Sequence, residues 1–256
     1  MKTLGILGGM SWESTTVYYR LFNQGVRARL GGQHSAKLLL ASVDFAEIVA
    51  YQQAGDWRAA GDHLAQLAAG LEHAGADAIL IATNTMHKVA EQIASAVSVP
   101  LLHIGDVVAD ALLAAGVRRA GLLGTRYTME HPFLIEHLRQ RGLEVVVPEA
   151  PARAQVHQII FDELCQGVVR DVSRETYQRV IEQLAADGAE AFELIKNNSG
   201  KNFNVIFVDW KVPDMDGIEL ARKLKERDEA DVVVIMISAA QWNDVESEAK
   251  EAGVSR

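Results

Sequence analysis

The sequence predicts an α/β protein with parallel, doubly wound sheets. Short apolar runs alternate with longer segments of helical periodicity, which is the pattern of repeated β–α units. One run, residues 79–82, ends abruptly in hydroxyls and an amide, and a second run, residues 119–123, ends in a small residue and hydroxyls. The chain therefore has two halves of similar organisation, each with polar side chains directly after a buried strand.

The predicted strands are short and apolar, as expected for parallel strands buried on both faces. They cover residues 2–7, 36–42, 79–82, 99–103, 119–123 and 143–147. The main predicted helices cover residues 14–30, 57–73, 85–97, 106–115, 131–141, 153–167 and 173–188. Ser11 and Ser14 are alternative caps of the first helix, and Gly116 ends the fourth. Gly8 and Gly9 let the backbone approach a ligand closely or simply form a tight turn.

Thr83, Asn84 and Thr85 follow the strand of residues 79–82 at its carboxyl end. Ligands of open parallel α/β sheets bind at that end, where the next helix presents N–H groups and its positive dipole end. Hydroxyls and an amide there suit a carboxylate. The alternative is that Thr83 or Thr85 simply caps the following helix, a role that threonine favours in any protein.

The composition is that of an ordinary globular protein, with 49% apolar and 23% charged residues. No run approaches the ~18 apolar residues of a membrane span, and the first residues lack a signal-peptide pattern, so a cytoplasmic location is expected. The net charge of -9 gives no reason to expect nucleic acid or an anionic membrane as a partner. The single cysteine, Cys165, excludes an intramolecular disulfide and a multi-cysteine metal site, and we expect no metal.

The composition changes near residue 190. Up to that residue the chain holds 13 Arg and 3 Lys, whereas residues 191–256 hold 3 Arg and 6 Lys. All eight histidines lie at or before His157. Helical periodicity continues from Ser173 towards Lys196, so the change falls inside a continuous helical segment and not in a Pro- or Gly-rich linker. It therefore indicates two sequence sources joined at this point.

Several blocks spread over residues 1–190 resemble the aspartate/glutamate racemase family. They are GILGGMSWES from residue 5, HSA from 34, SVDF from 42, TNTMH from 83, LLGTRYTM from 122 and DELC from 162. The resemblance implies two flavodoxin-like lobes around a cleft. It also implies racemisation of acidic amino acids without a cofactor, by two opposed proton-transfer residues that are usually cysteines.

The same resemblance implies the residues of the site. Thr83 holds the first proton-transfer position, as in a subgroup of the family. The substrate, a small acidic amino acid or another carboxylate, would be bound by Met10, Gln52, Asn84 and Thr85. Thr125 and Thr128 are further candidates because they lie at the matching strand end of the second lobe. The second cysteine would follow the helix that ends near residue 190, in a Gly-Cys-Thr-Glu strand end, and this block is absent from the sequence.

Residues 191–256 instead resemble an internal part of a response-regulator receiver domain. The resemblance rests on NVIFVDWKVPDMDG from residue 204 and VVVIMISA from residue 232. Asp209 matches the phosphate-accepting aspartate, and Ser238 matches the hydroxyl position. The receiver's first strand with its acidic pair and its last strand with its lysine are missing. Asp209 is therefore insufficient for the Mg²⁺ and phosphoryl chemistry of a receiver.

An α-proton beside a carboxylate is a very weak acid, so racemisation needs a base to remove it. Because the configuration is inverted, an acid must return a proton on the opposite face of the substrate Cα. A thiolate can serve near neutral pH, whereas the Thr83 hydroxyl does not ionise readily. Aligning Val-Ile-Phe-Val-Asp with the expected Val-Ile-Leu-Gly-Cys puts Asp209 at the position of the missing thiol. As a catalytic base, Asp209 would need a raised pKa and would repel an acidic substrate, so a structural carboxylate is the favoured interpretation.

Cys165 lies beside an apolar helical stripe, which favours a buried small hydrophobic role over that of a nucleophile. His87 and His103 follow strand ends, and we expect them to support the site by hydrogen bonding and not to catalyse.

The sequence thus predicts a racemase-like first lobe (1–98), an incomplete second lobe (99–190) and a receiver-like fragment (191–256) that completes the second sheet. The expected function is that of a racemase scaffold, an isomerase by descent, that binds an acidic amino acid with weak or absent turnover. Two alternatives stay open: a phosphorelay receiver or interaction module, and a fragment-exchange chimera without a selected activity. A homodimer is also left open.

Overall fold

The structure is a computed structural model. It describes the backbone of residues 1–195, 205–208 and 233–236, and the surroundings of the side chains up to residue 184. The chain divides into two compact units, the first comprising Met1–Val107 and the second beginning at Val108. The division falls within one helix, Ile104–Ala114. The finer boundaries after residues 98 and 190 stay predictions.

The first unit is built on a four-stranded parallel sheet. Its strands are β1 (Leu4–Gly8), β2 (Leu38–Ser42), β3 (Ala78–Ile81) and β4 (Leu101–Leu102). Its helices are α1 (Trp12–Leu30), α2 (Phe45–Ala54), α3 (Trp57–His73), a 3₁₀ helix (Thr85–Val89), α4 (Ala90–Ala94) and the start of α5 (Ile104–Ala114). The strand order is β2-β1-β3-β4.

The second unit repeats this design. Its described strands are β5 (Arg119–Leu122), β6 (Glu144–Val146), β7 (Val205–Val208) and β8 (Val233–Met236). Its described helices are α6 (Arg126–Glu130), α7 (Pro132–Gln140), α8 (Ala150–Asp162), a 3₁₀ helix (Leu164–Gln166) and α9 (Asp171–Ile195). The sheet is parallel with the order β6-β5-β7-β8. In each unit the first strand lies between the second and the third, which confirms the predicted class of two flavodoxin-like α/β units.

Strand β3 is buried on both faces, as its apolar sequence predicts. Ile79 and Ile81 pack in one cluster with Leu7 of β1, whereas Leu80 packs on the other face with Ile6. Burial on both faces explains why the strand lacks the polar alternation of a half-exposed sheet. Because the core ends where β3 ends, the polar residues that follow the strand lie at the edge of the core.

Helix α1 begins at Trp12, two residues before the predicted start. Ser11 occupies the N-cap with an extended backbone, and its carbonyl accepts the Thr15 N–H at 3.3 Å. The Ser14 hydroxyl, the alternative cap, donates to the same Ser11 carbonyl from inside the helix at 3.1 Å. Ser11 therefore holds the N-cap position, and its side chain forms no capping hydrogen bond there.

The predicted helix of residues 85–97 is shorter and begins differently. It consists of the 3₁₀ helix followed by α4, which ends at Ala94. The first turn is tight because the His87 N–H bonds to the carbonyl of Asn84, three residues back, at 3.1 Å. The consequence is that the residues after β3 start a tight turn and not a regular α-helix.

The predicted helix of residues 131–141 is helix α7, and a short helix that was not predicted, α6, lies directly before it. Pro132 takes the first position of α7, and His131 is extended at φ -90° and ψ 146°. Proline disfavours the helical region for the residue before it, so the chain must break at His131.

None of the helices among the described residues is both long and apolar enough to span a bilayer.

Candidate functional site

The carboxyl ends of the first unit's strands lie along one edge of its sheet because all pairings are parallel. At this edge Gly8 of β1 pairs with Ser42 of β2, and Leu7 pairs with Ile81 of β3. The ladder continues past β3, since the Ala82 N–H donates to the Leu7 carbonyl at 2.9 Å. The loops that follow β1, β2 and β3 therefore start side by side.

Glycine at position 9 allows the loops after β1 and β2 to touch. Gly9 has φ +88°, and an added Cβ would lie 2.4 Å from the Val43 carbonyl oxygen. Its N–H donates to the Thr15 hydroxyl at 2.9 Å, which in turn donates to the Ser11 carbonyl at 3.0 Å. Only glycine, which has no side chain, can both adopt this positive φ easily and approach Val43 so closely. The glycine pair thus shapes the loop by close backbone packing.

The block after β3 carries the predicted polar side chains. Thr83 and Asn84 are partly exposed, whereas Thr85 is 4% exposed. Asn84 occupies the N-cap position of the 3₁₀ helix, and no side-chain capping hydrogen bond is formed there. Helix capping by Thr83 or Thr85, the alternative interpretation, is therefore not how this helix begins.

Gln52 and Met86 connect helix α2 to the same block. The Gln52 amide donates to the Met86 sulfur at 3.3 Å, and both side chains are buried. Met10 is also buried, in the core cluster that contains Met86. The structure thus brings Met10 and Gln52 into the packing beneath the block, although they are distant in sequence.

The two histidines of this edge have defined partners. The Nδ1 atom of His87 lies 2.8 Å from the Thr83 carbonyl oxygen, and its Nε2 accepts the Ile104 N–H at 3.1 Å. His103 accepts the Gly105 N–H through its Nδ1 at 3.1 Å. The two rings meet edge to face with centroids 4.6 Å apart. This agrees with a supporting, hydrogen-bonding role for both.

Lys88 places a cation on the same short helix. Its ammonium lies 3.9 Å from the centre of the Trp57 ring, a cation–π contact. Burial lowers the pKa of Lys88 from its ordinary value. The stacked position ties the lysine to the first residue of α3, and the sequence alone did not indicate this contact.

In the second unit, Thr125 and Thr128 follow β5 as predicted, and the Thr125 side chain caps helix α6. The Thr125 hydroxyl accepts the Thr128 N–H at 3.3 Å, and the two hydroxyl oxygens lie 3.2 Å apart. Thr128 is fully buried. Gly124 fits closely, because an added Cβ would lie 3.1 Å from the Thr128 Cβ.

His157 of α8 anchors this capped turn. Its Nδ1 accepts the Arg126 N–H at 3.2 Å, and the rings of Tyr127 and Phe161 lie against it. Burial, followed by the charge of Arg126, lowers the pKa of His157, although two carboxylates oppose this. A neutral His157 is the form that keeps the hydrogen bond.

Cys165 is partly buried and packs against the apolar cluster of α8 and α9 that includes Val156 and Ile160. This position agrees with the hydrophobic role predicted for it. Asp209 and Ser238, the two residues singled out in the receiver-like segment, lie outside the described residues. Within each unit taken by itself, the described residues bring no three histidine, cysteine or carboxylate side chains close enough to share a metal ion.

Solved structures of racemases share this fold. A crystal structure from Yersinia pestis, described provisionally as an Asp/Glu racemase, is 41% identical with a TM-score of 0.72, covering 98% of this chain and 99% of that one. An aspartate racemase homologue from Pyrococcus horikoshii is 29% identical with a TM-score of 0.68, covering 99% of this chain and all of that one. The aspartate racemase of Picrophilus torridus, at 20% identity and a TM-score of 0.58, supports the fold alone.

The end of the chain matches a different group. The response regulator receiver domain family matches residues 162–256. The transcriptional regulatory protein SrrA of Staphylococcus aureus is 36% identical over 62 residues, which is 24% of this chain and 24% of that protein. A hybrid histidine kinase of Dictyostelium discoideum is 44% identical over 41 residues, 16% of this chain and 2% of that protein. The chain therefore spans a quarter or less of these curated relatives.

The family described as Asp/Glu/Hydantoin racemase matches residues 7–194, which is most of the chain and includes the carboxyl ends of the first unit's four strands. This match agrees with the two solved structures that are similar over nearly their whole length. The chain belongs to the Asp/Glu/Hydantoin racemase family.

Proposed function

We propose that this chain is a racemase scaffold that binds a small acidic amino acid at the carboxyl edge of the first sheet, with weak or absent turnover. The observation that carries the proposal is the intact block Thr83, Asn84 and Thr85 at that edge, in a chain whose only cysteine is Cys165. Family membership supports the scaffold. The missing second cysteine supports the loss of turnover.

The binding chemistry follows from the groups at the edge. Asn84 offers an amide and Thr85 a hydroxyl, which are hydrogen-bond donors for a carboxylate. Gln52 would add a second amide, and Met10 would contribute through its backbone because its side chain is in the core. Thr125 and Thr128 stay candidates by resemblance, and their use as a helix cap weakens the case for their hydroxyls.

The proposed loss of turnover rests on acid–base chemistry. One group must remove the α-proton and another must return a proton on the opposite face. The Thr83 hydroxyl is a poor base, and the resemblance places Asp209 where the family has its second thiol. Asp209 would bring a negative charge to an anionic substrate and is a weak base at its ordinary pKa. Neither residue replaces a thiolate.

Binding is tested with isotope-labelled protein by titrating L- and D-glutamate and L- and D-aspartate while observing backbone amides by NMR. We expect saturable shifts at Asn84 and Thr85. Asn84→Asp should abolish them because it places a carboxylate against the ligand's own, and Thr85→Val should weaken binding by removing a donor. Thr16→Val, at an exposed threonine of α1, is the control. Unchanged affinity in both site variants would refute the proposed site.

The receiver match over residues 162–256 supports a second candidate function, a phosphoryl-accepting module. It overlaps the racemase match over residues 162–194, which supports a fusion of two related β–α architectures. Incubation with acetyl phosphate and Mg²⁺ should label Asp209 if this function is present, with Asp209→Asn as the control. Absence of label on the full chain would eliminate the candidate.

A further inference from the structure

His87 occupies a position where the sheet's own hydrogen bonding has ended. Strands β3 and β4 are paired through Ile79 with Leu101 and Leu80 with Leu102. Beyond these pairs the His87 ring lies between the Thr83 carbonyl oxygen, 2.8 Å from Nδ1, and the Ile104 N–H, 3.1 Å from Nε2. The ring thus bridges the continuation of β3 to the continuation of β4.

The partners of the ring fix its protonation. A carbonyl oxygen only accepts, so the Nδ1 atom of His87 must carry the proton that bonds to Thr83. A backbone N–H only donates, so the Nε2 atom facing Ile104 must present its lone pair. One neutral tautomer meets both demands. An imidazolium would set an N–H against the Ile104 N–H.

The local backbone explains why the Thr83 carbonyl accepts a hydrogen bond from a side chain and not from a backbone N–H. In a regular α-helix the Thr83 carbonyl would accept the backbone N–H of residue 87, four residues on. Here the His87 N–H bonds to the Asn84 carbonyl, and the ring of the same residue donates to Thr83. His87 is 3% exposed, so the bridge is shielded from water.

We propose that His87 is a positioning residue that holds Thr83, and with it the proposed ligand-binding block, at a fixed separation from the turn after β4. The ring takes the place of a direct backbone hydrogen bond between the continuations of β3 and β4. It therefore separates these two segments by the width of an imidazole. Because both ring nitrogens are engaged, His87 does not carry protons to or from a substrate. The effect on ligand binding rests on the proposed function, whereas the bridge itself does not.

The bridge is tested first on the unaltered chain, uniformly labelled with ¹⁵N so that both the histidine ring and the Ile104 amide are observed. We expect a protonated Nδ1, an unprotonated Nε2 and a nitrogen–nitrogen coupling across the hydrogen bond between Ile104 N and His87 Nε2. A proton on Nε2, or the absence of that coupling with the Ile104 amide resolved, would overturn the proposal. This measurement requires no ligand, so it is independent of whether an amino acid binds.

Positioning is tested with His87→Asn, whose shorter amide can still donate to the Thr83 carbonyl but cannot reach Ile104. We expect hydrogen exchange of the Ile104 amide to rise roughly tenfold and acidic amino-acid affinity to fall by a similar factor. The control is Gln92→Ala, which removes hydrogen bonds of α4 to Asp62 and Arg58 without touching the bridge. Equal affinity losses in the two variants would overturn positioning. If the unaltered chain binds no ligand, the proposed function fails and the coupling still decides the bridge.

Discussion

Gly9 shows at the scale of a single residue how the candidate site depends on backbone approach. Its positive φ and its contact with Val43 bring the loops after β1 and β2 together. A side chain at this position would separate the loops at the point where the proposed backbone donors lie. The glycine is therefore a packing requirement of the site, whatever ligand the site binds.

Replacing Gly9 with alanine should destabilise the chain by about 2 kcal/mol or more, because a left-handed backbone and a close contact both penalise a Cβ. Chemical unfolding followed by circular dichroism measures the change. Gly70→Ala is the matched control: Gly70 lies exposed in α3 with no atom within 4 Å of an added Cβ. That variant should gain about 0.5–1 kcal/mol. Equal effects of the two substitutions would contradict the role of Gly9.

Sequence reasoning located Thr83, Asn84 and Thr85 because an apolar run that stops at polar residues is a local signal. The prediction that His87 is a hydrogen-bonded side chain also agrees with the contacts of its ring. The actual partner, Ile104, is 17 residues away in sequence, and no local pattern encodes which carbonyl and which N–H a ring will bridge. The contact between Gln52 and Met86 could not be predicted either, because these residues are 34 positions apart in the sequence.

At the scale of elements, helices α6 and α8 are joined through Arg126 and His157. The hydrogen bond from the Arg126 N–H to the His157 ring needs a neutral imidazole. Burial and the Arg126 charge keep the pKa of His157 below its ordinary value, so the unfolded chain binds a proton more readily than the folded one. The stabilisation is complete above the unfolded pKa of about 6.5 and is lost as the pH falls towards the lower folded pKa.

We therefore expect the free energy of unfolding to fall between about pH 7.5 and pH 5.5, and to fall less in His157→Gln, which cannot take up the proton. Urea unfolding at the two pH values measures this difference. The exposed His73→Gln should behave like the unaltered chain. An identical pH dependence for His157→Gln and the unaltered chain would show that this histidine does not couple protonation to folding.

Glu72 links α3 to the loop before β4. Its carboxylate accepts the Ser98 hydroxyl together with the Ser98 N–H at 2.9 Å and the Val99 N–H at 3.2 Å. These bonds, the hydroxyl first, lower the pKa of Glu72, while burial opposes them. The stabilisation is present above the unfolded pKa of about 4.3 and is lost as the pH falls through the lower folded pKa.

The unaltered chain should accordingly lose more unfolding free energy between about pH 5.5 and pH 3.5 than Glu72→Gln does, because the variant has no carboxylate to protonate. Chemical unfolding at both pH values provides the comparison. Glu91→Gln, at an exposed position of α4, is the control. If Glu72→Gln and Glu91→Gln show the same pH dependence, the carboxylate is not an acid-sensitive link.

Elements were predictable to the extent that their signals are local. The β–α alternation and the apolar character of β3 predicted the strands, and Ser11 was among the expected caps. The start of α7 also has a local signal, Pro132 at its first position, and the prediction placed that start within one residue. The 3₁₀ start after β3 could not be predicted in this way, since it depends on where the His87 ring finds its partners.

At the scale of the whole chain, two units with the same strand order carry sequences that match two families. The described strands β7 and β8 extend the second unit's sheet from β5, with Gly121 paired to Ile206. A family match that reaches residue 194 and a receiver match that begins at residue 162 overlap over residues 162–194, most of which belong to α9. Both architectures need a helix before a parallel strand, which makes this helix a suitable place for one to replace the other.

Asp209→Cys should restore proton transfer if the missing thiol is what limits turnover. We expect exchange of the substrate α-proton for deuterium to increase at least roughly a hundredfold, the usual contribution of one acid–base group. Asp209→Asn is the control, because it removes the negative charge without supplying a thiol. An equal gain from asparagine would indicate that charge repulsion, and not the absent thiol, limits the reaction.

Exchange of the substrate α-proton by the unaltered chain decides whether the protein is a binding scaffold that lacks its second acid–base group. Each enantiomer of glutamate and aspartate is incubated in D₂O with the protein, and the α-proton signal is followed by NMR. If that group is missing, the α-proton signals of all four substrates should persist over the time in which the Asp209→Cys chain exchanges the enantiomer of each amino acid whose α-proton faces the new thiol. Rapid exchange with inversion by the unaltered chain would contradict this prediction.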